Sequence, residues 1–335
     1  MTGFRLLPKG RPARIAVLDD YMGVAHRLAD WSSLAGRAEV TFLTDPLPSD
    51  VAGAAVRLAG FDAICLLRER SAMPAELLRA LPDLRAIAAT GRVNRTLDYR
   101  AADELGIAVM TTTGSGNGVY ATVELAWGLI LALMRHIPEE SAAMRAGAWQ
   151  TRLGNALHGR TLGLVGLGKL GSRMAGVARA FGMEVLAWSP NLTPERAAAG
   201  GARFADKATL LAAADIVSLH LVLGPTTRGI IDRDALALMR PEAILINTAR
   251  GPLVDEAALI AALASGQLRA AGLDVYDHEP LSADHPLRSL PNVLATPHLG
   301  YSVRETFETF YRDTVENLAH WLDGAPIRLA TPENA

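Results

Sequence analysis

From Arg14 onward, short apolar runs alternate with longer stretches in which apolar residues recur at helical spacing. Arg14-Ile15-Ala16-Val17-Leu18, Val40-Thr41-Phe42-Leu43, Ala63-Ile64-Cys65-Leu66, Leu84-Arg85-Ala86-Ile87-Ala88 and Ile107-Ala108-Val109-Met110 read as five strands with helices between them. Strand-then-helix alternation of this kind indicates a parallel sheet. A Gly- and Thr-rich passage, Thr111 to Gly118, then breaks the pattern, and a long apolar helix begins near Tyr120. A domain boundary is expected there.

A second alternating series starts at Thr161-Leu162-Gly163-Leu164-Val165 and continues through strands near Glu184–Trp188, Asp215–His220, Ala243–Asn247, Ala271–Val275 and Asn292–Thr296. Six parallel strands with intervening helices fit a doubly wound α/β nucleotide fold. A last helical stretch, Arg304 to Leu322, carries Phe307, Phe310, Tyr311 and Trp321 and is expected to return the chain to the first domain. The expected division is residues 1–117 with 303–335, and residues 118–302. Two similar layered domains with a cleft between them follow, and the passage from Thr111 to Gly118 is the candidate hinge for closing it.

Composition narrows the function classes. A chain of 335 residues is long enough for two domains with ample cores. A net charge of -2 lacks the basic signature of a nucleic-acid binder. Cys65 is the single cysteine and sits inside an apolar run, so it reads as a core residue and allows neither an internal disulfide nor a cysteine metal cluster. The most hydrophobic run, Leu125 to Met134, is far shorter than the ~20 residues a membrane span needs. The first ten residues hold no apolar stretch of signal-peptide length, so a cytoplasmic location is expected, with no membrane and no nucleic-acid partner.

Gly166-Leu167-Gly168-Lys169-Leu170-Gly171 matches the dinucleotide fingerprint, follows a predicted strand and opens a predicted helix running to about Phe181. Gly166 permits the tight turn, Gly168 lets backbone approach a pyrophosphate, and Gly171 allows close packing of helix on strand. At the end of the next strand the acid expected to bind the adenosine ribose is absent and Ser189 stands in its place. Ser189, Asn191, Thr193 and Arg196 could accept either ribose or its 2′-phosphate, so NAD(H) and NADP(H) both stay open.

Three polar residues also arrive at successive strand ends. Arg250 follows Ala243-Ile244-Leu245-Ile246, Glu279 lies a few residues beyond Gly272-Leu273-Asp274-Val275, and His298 follows Asn292-Val293-Leu294-Ala295. Ligands of open parallel sheets bind beyond the carboxyl ends of strands, so the three suggest one site.

Gly159-Arg160-Thr161-Leu162-Gly163 leading into the fingerprint, then Asn247-Thr248-Ala249-Arg250-Gly251, Gly272-Leu273-Asp274-Val275, Glu279-Pro280 and Pro297-His298-Leu299-Gly300, resemble the D-isomer-specific 2-hydroxyacid dehydrogenase family. The resemblance spans nearly the whole chain. It implies a Rossmann cofactor domain, a flavodoxin-like substrate domain and a homodimer. It also implies hydride transfer between a nicotinamide cofactor and a 2-oxo or D-2-hydroxy acid. By the same resemblance His298 moves the substrate proton, Glu279 pairs with it, and Arg250 holds the substrate carboxylate beside the carbonyl. Imidazole suits proton transfer near neutral pH, and a guanidinium fork suits a carboxylate. Asp274 is implied on the nicotinamide side, and His220, Thr248, Ala249 and Gly300 complete the expected cofactor set with the fingerprint, Ser189 and Asn191. No metal is implied.

The first domain departs from the family pattern. Relatives commonly carry a Gly-x-Gly-Val-Asp-Asn type loop, and this chain reads Thr90-Gly91-Arg92-Val93-Asn94-Arg95. Arg92 and Arg95 are expected to be solvated, and Leu67-Arg68-Glu69-Arg70-Ser71 is a further candidate wall. The identity of the acid stays open. Formate or phosphite oxidation, and a nicotinamide-sensing binding protein, remain as alternatives, although Glu279 argues against formate.

Overall fold

A computed structural model of the chain describes residues 4–5, 10–114 and 118–332. The chain forms two compact units, Met1–Asn117 with Val303–Ala335, and Gly118–Ser302.

The first unit holds five parallel strands: β1 (Ala13–Val17), β2 (Ala38–Phe42), β3 (Ala63–Leu66), β4 (Ala86–Ala89) and β5 (Ala108–Thr111). Their order is β2-β1-β3-β4-β5, the flavodoxin-like arrangement. β3 and β4 are buried along their whole length, which explains why they are continuously apolar. Cys65 lies inside β3 with its thiol sealed from water, and burial pushes that thiol's pKa up.

The final helix, Arg304–Leu322, belongs to this unit and buries Phe307, Phe310, Tyr311 and Trp321. Its polar residues tie it to the end of β5. Asn317 Nδ2 donates to Thr111 O at 2.8 Å, and Asp313 accepts from the Thr113 amide at 2.8 Å and hydroxyl at 2.6 Å. Residues 115–117 of the expected hinge lie outside the described residues.

The second unit holds β6 (Thr161–Val165), β7 (Glu184–Trp188), β8 (Arg203–Phe204), β9 (Ile216–Leu219), β10 (Ile244–Asn247), β11 (Ala270–Leu273) and β12 (Val293–Ala295). All pairings are parallel, in the order β12-β11-β10-β9-β6-β7-β8. The sheet therefore has seven strands where the sequence pattern predicts six. The extra one, β8, is a two-residue edge strand, Arg203-Phe204, too short to give a period-2 signal.

The chain winds outward from β6 in one direction through β7 and β8, and in the other through β9 to β12. The reversal falls between β6 and β9, the switch point at which such sheets bind ligands. The apolar helix Gly118–Arg135 covers one face of this sheet. Gly272 lets it settle on β11, since a Cβ there would meet Leu129 Cβ at 3.1 Å and Leu133 Cδ1 at 3.3 Å.

Candidate active site

At the switch point, β6 leads into the fingerprint and β9 is followed by His220. Gly166 has a φ of +106°, a region favourable to glycine, and a Cβ there would lie 2.7 Å from the His220 carbonyl carbon. Gly171 is equally constrained: its Cβ would stand 2.2 Å from Gly166 O. Gly168 differs, with no atom within 4 Å of the place a Cβ would take, which leaves backbone open above the turn. Lys169 is exposed and Leu170 half-buried at the start of the helix Lys169–Ala180.

His220 is partly exposed as a residue, yet its Nδ1 is sealed and makes no hydrogen bond, while Nε2 lies 2.9 Å from Ser218 Oγ. Burial lowers its pKa to about 4, so the ring is neutral at pH 7. Thr248 Oγ1, just past β10, is likewise buried without a partner. Two orphaned polar atoms and an open glycine backbone at the carboxyl ends of three adjacent central strands fit a dinucleotide, whose phosphates need backbone donors and whose polar groups need hydrogen bonds. Ser189 and Asn191 follow directly on β7, next to the fingerprint strand.

Beyond β10 the backbone is shaped by Asn247, which is 1 % exposed. Its Oδ1 accepts from the Ala249 amide at 3.1 Å and its Nδ2 donates to Arg250 O at 2.9 Å. That Asx turn fixes Ala249 and Arg250 at the strand end, and Arg250 Nη1 donates to Ala249 O at 2.7 Å. Gly251 follows, and a Cβ there would be 2.0 Å from the carbonyl carbon of Tyr276 and 2.2 Å from its oxygen. The arginine loop is thus pressed against the loop that bears Glu279.

That second loop is built around Tyr276. Its amide donates to Glu279 Oε1 at 3.0 Å, and its hydroxyl lies 2.9 Å from Thr296 O, just before His298. Burial raises the Tyr276 pKa, so the hydroxyl remains a donor. Glu279 Oε2 then accepts from His298 Nδ1 at 2.5 Å. A carboxylate cannot donate, so Nδ1 carries the hydrogen in this pair. His278, adjacent to Glu279, lies exposed on the loop.

His298 has a φ of +54°, in the left-handed region that few non-glycine residues occupy. Asp274 holds this turn in place. Oδ1 accepts from Thr296 Oγ1 at 2.5 Å and from the Leu299 amide at 2.7 Å, and Oδ2 accepts from the Gly300 amide at 2.8 Å. Its side chain is fully buried, and burial raises its pKa. It lies one residue past β11, where the sequence pattern placed it inside the strand. In this structure its bonds are those of a carboxylate that orders the histidine turn. The Tyr301 ring packs edge-on to the imidazole at 5.6 Å, and Thr122 Oγ1 of the long helix donates to Gly300 O at 2.8 Å.

Sequence patterning offered no signal for the parts played by Tyr276, Asn247, Thr122 and Tyr301. Each acts through a contact with another strand end or helix. The motif glycine Gly251 was visible, but the backbone it accommodates was not.

In the first unit, the carboxyl ends of β1 and β3 are bridged by Asp19, whose Oδ2 accepts from Ser71 Oγ at 2.9 Å. Arg68 lies over Gly91, since a Cβ there would fall 1.7 Å from Arg68 Nη1. Arg92 and Arg95 are exposed; Arg92 Nε donates to Thr113 O at 3.2 Å, and Arg95 stands 3.6 Å from Glu69.

Among the described residues no group of His, Cys, Asp or Glu could hold a metal ion, and no helix is long and apolar enough to cross a membrane.

Residues 127–300 match the family model described as D-isomer specific 2-hydroxyacid dehydrogenase, NAD binding domain. The D-3-phosphoglycerate dehydrogenase of Mycobacterium leprae is 40% identical over 261 residues, which are 77% of this chain and 49% of that protein. This chain therefore spans about half the length of the curated phosphoglycerate dehydrogenases it matches. The glyoxylate reductase of Aeropyrum pernix is 38% identical over 258 residues, 74% of this chain and 76% of the relative. The crystal structure of a phosphoglycerate oxidoreductase from Vibrio cholerae superposes with a TM-score of 0.86 at 39% identity, over 93% of this chain and all of that one.

Proposed function

The chain belongs to the D-isomer-specific 2-hydroxyacid dehydrogenase family, and from that premise we propose that it interconverts a 2-oxo acid and the D-2-hydroxy acid with NAD(H). The observation that carries this reading is the His298–Glu279 pair, set one strand end away from Arg250 across Gly251.

The fingerprint Gly166-Leu167-Gly168-Lys169-Leu170-Gly171 would hold the pyrophosphate. Ser189 and Asn191 would lie at the ribose end, and His220, Thr248, Ala249, Asp274 and Gly300 would lie along the rest of the dinucleotide. When bound, the nicotinamide supplies hydride for reduction and accepts it in oxidation. The chain's own residues do the rest. Arg250 grips the substrate carboxylate with its planar donor fork and polarises the adjacent carbonyl. His298 Nε2 gives a proton to the carbonyl oxygen in reduction and takes it back in oxidation. Glu279 holds the Nδ1 hydrogen, which fixes the ring orientation and stabilises the imidazolium.

A homodimer is part of this proposal. The helix Ile137–Arg145 has no buried residue, and Met144, Trp149 and Leu153 stand exposed, at 59%, 74% and 93%. Apolar exposure on that scale is what a subunit interface would cover. Sedimentation at micromolar concentration should give twice the chain mass, and a monomer would remove this part. A cytoplasmic location goes with the reading.

The test is a panel of 2-oxo acids, including glyoxylate and the 2-oxo acid of 3-phosphoglycerate, assayed with NADH. Oxidation of NADH by at least one acid, lost on replacing Arg250 with alanine, is expected. Binding of NADH without turnover across the panel would remove the reading.

A further inference from the structure

The loop between β11 and β12 carries Glu279, and a single side chain from the helix before β11 ties that loop down on both sides of it. We propose that this side chain, Glu256, is a positioning residue: it laces the loop to the helix Glu256–Ala264 and so sets Glu279 against His298. The inference rests on the dehydrogenase reading and deepens it.

Glu256 opens the helix that follows the Arg250 turn, directly after the N-cap Asp255. Its Oε2 accepts from the Asp277 amide at 3.4 Å, and its Oε1 lies 3.1 Å from His285 Nε2. The other nitrogen of His285 decides which way that second bond runs. Nδ1 accepts from the Leu287 amide at 3.3 Å as the N-cap of the 3-10 turn Pro286–Arg288, so Nε2 carries the hydrogen and donates it to Glu256. The two side chains are 21% and 20% exposed, which shields their bond from water.

The lacing continues through the capped turn. Arg288 Nε donates to Ser282 O and its Nη2 donates to Leu281 O, each at 2.7 Å, which draws the chain just after Glu279-Pro280 back onto the turn. Leu287 seats the same turn in the core of the unit. Glu279 is thus held from Asp277 on one side and from Leu281 on the other, and Glu256 stands at the root of both ties.

These ties hold against a like charge. Burial and the Glu256 carboxylate raise the pKa of Asp277, His278 and Arg228 oppose them, and Asp255 adds to the rise. Arg250 has its own anchor in Asn247, so loosening the Glu279 loop leaves the carboxylate grip in place.

A double-mutant cycle in the full chain tests this, read in kcat, in KM for a 2-oxo acid that is turned over, and in NADH binding. Misplacing a reacting group by about 1 Å can cost about a hundredfold in rate. Glu256→Ala should lower kcat about tenfold and leave KM and NADH affinity within about twofold; the helix keeps its Asp255 cap, which accepts from the Ala258 amide at 3.0 Å. In a Glu279→Ala background the same change should lower kcat by less than about twofold, because nothing is left to position. Glu256→Gln retains one of the two acceptors and should lose less. His285→Asn keeps a good N-cap but lacks the nitrogen that reaches Glu256, so it should lower kcat with KM unchanged even where Glu256→Ala fails to fold. Equal losses in both backgrounds, a raised KM at constant kcat, or full activity in a folded Glu256→Ala would overturn the proposal. An unaltered protein that turned over no 2-oxo acid would instead sink the dehydrogenase reading. Hydrogen exchange across residues 276–290, expected to quicken in Glu256→Ala, would then still decide whether Glu256 laces the loop.

Discussion

His298 Nδ1 donates to Glu279 Oε2 across 2.5 Å, and the same carboxylate accepts the Tyr276 amide on its other oxygen. One carboxylate thus ties the histidine after β12 to the loop after β11 and fixes which imidazole nitrogen carries the hydrogen. Glu279→Gln preserves an acceptor and removes the charge. Reduction of the 2-oxo acid is expected to fall about tenfold or more in kcat, with KM little changed, because the imidazolium loses its counter-charge. Steady-state kinetics at several pH values checks this, and an unaltered kcat would mean that the pairing does no chemical work.

Asp274 gives a second prediction. Asn at this position would turn an amide group toward a donor that Asp274 now satisfies, and Ala would leave the Leu299 and Gly300 amides unpaired in a buried turn. Leaving buried donors without acceptors costs about 1–3 kcal/mol. Both variants should lose kcat more than they lose stability, since the turn they loosen carries His298 at φ +54°. Thermal denaturation run beside the kinetics separates the two effects.

Gly251→Ala tests the contact between the arginine and glutamate loops. A Cβ 2.0 Å from the Tyr276 carbonyl carbon cannot be accommodated without moving one backbone. Overpacking of this kind costs about 1–3 kcal/mol. The expected result is a lower Tm together with a kcat loss of at least tenfold. Full activity in a stable variant would show that Arg250 and Glu279 are positioned independently of each other.

The strand-end motifs were legible in the sequence because each is short, local and attached to a continuous apolar run. The Gly166-Leu167-Gly168-Lys169-Leu170-Gly171 turn was legible for the same reason. What lay beyond reading is tertiary. β8 is two residues long and pairs only at a sheet edge. Gly251 is required by a backbone twenty-five residues away in sequence, and Asp274 by a turn that starts after the next strand. Periodicity reports which face of an element is buried; it carries no information about which loop another loop must touch. The roles of Tyr276 and Thr122 were hidden for that reason.

His220 predicts how stability responds to acid. Burial lowers its pKa from 6.5 to about 4, so between those values the unfolded chain binds a proton that the folded chain refuses. Stability contributed through this residue therefore rises with pH from about 4 to about 6.5 and is level above that. His220→Gln should shallow the acid limb of a denaturation-against-pH curve within that window. An acid limb of unchanged slope would show that His220 is not the group responsible.

The most direct test of the proposed chemistry follows deuterium. The enzyme is given NADH deuterated at the transferring position with a 2-oxo acid it turns over, and the product is examined for label at C2 and for handedness. The account predicts deuterium at C2 of the D-2-hydroxy acid. It also predicts that His298→Asn lowers the rate by about a hundredfold or more while NADH binding is unchanged. An L product, a product without label, or full activity in the His298 variant would contradict it.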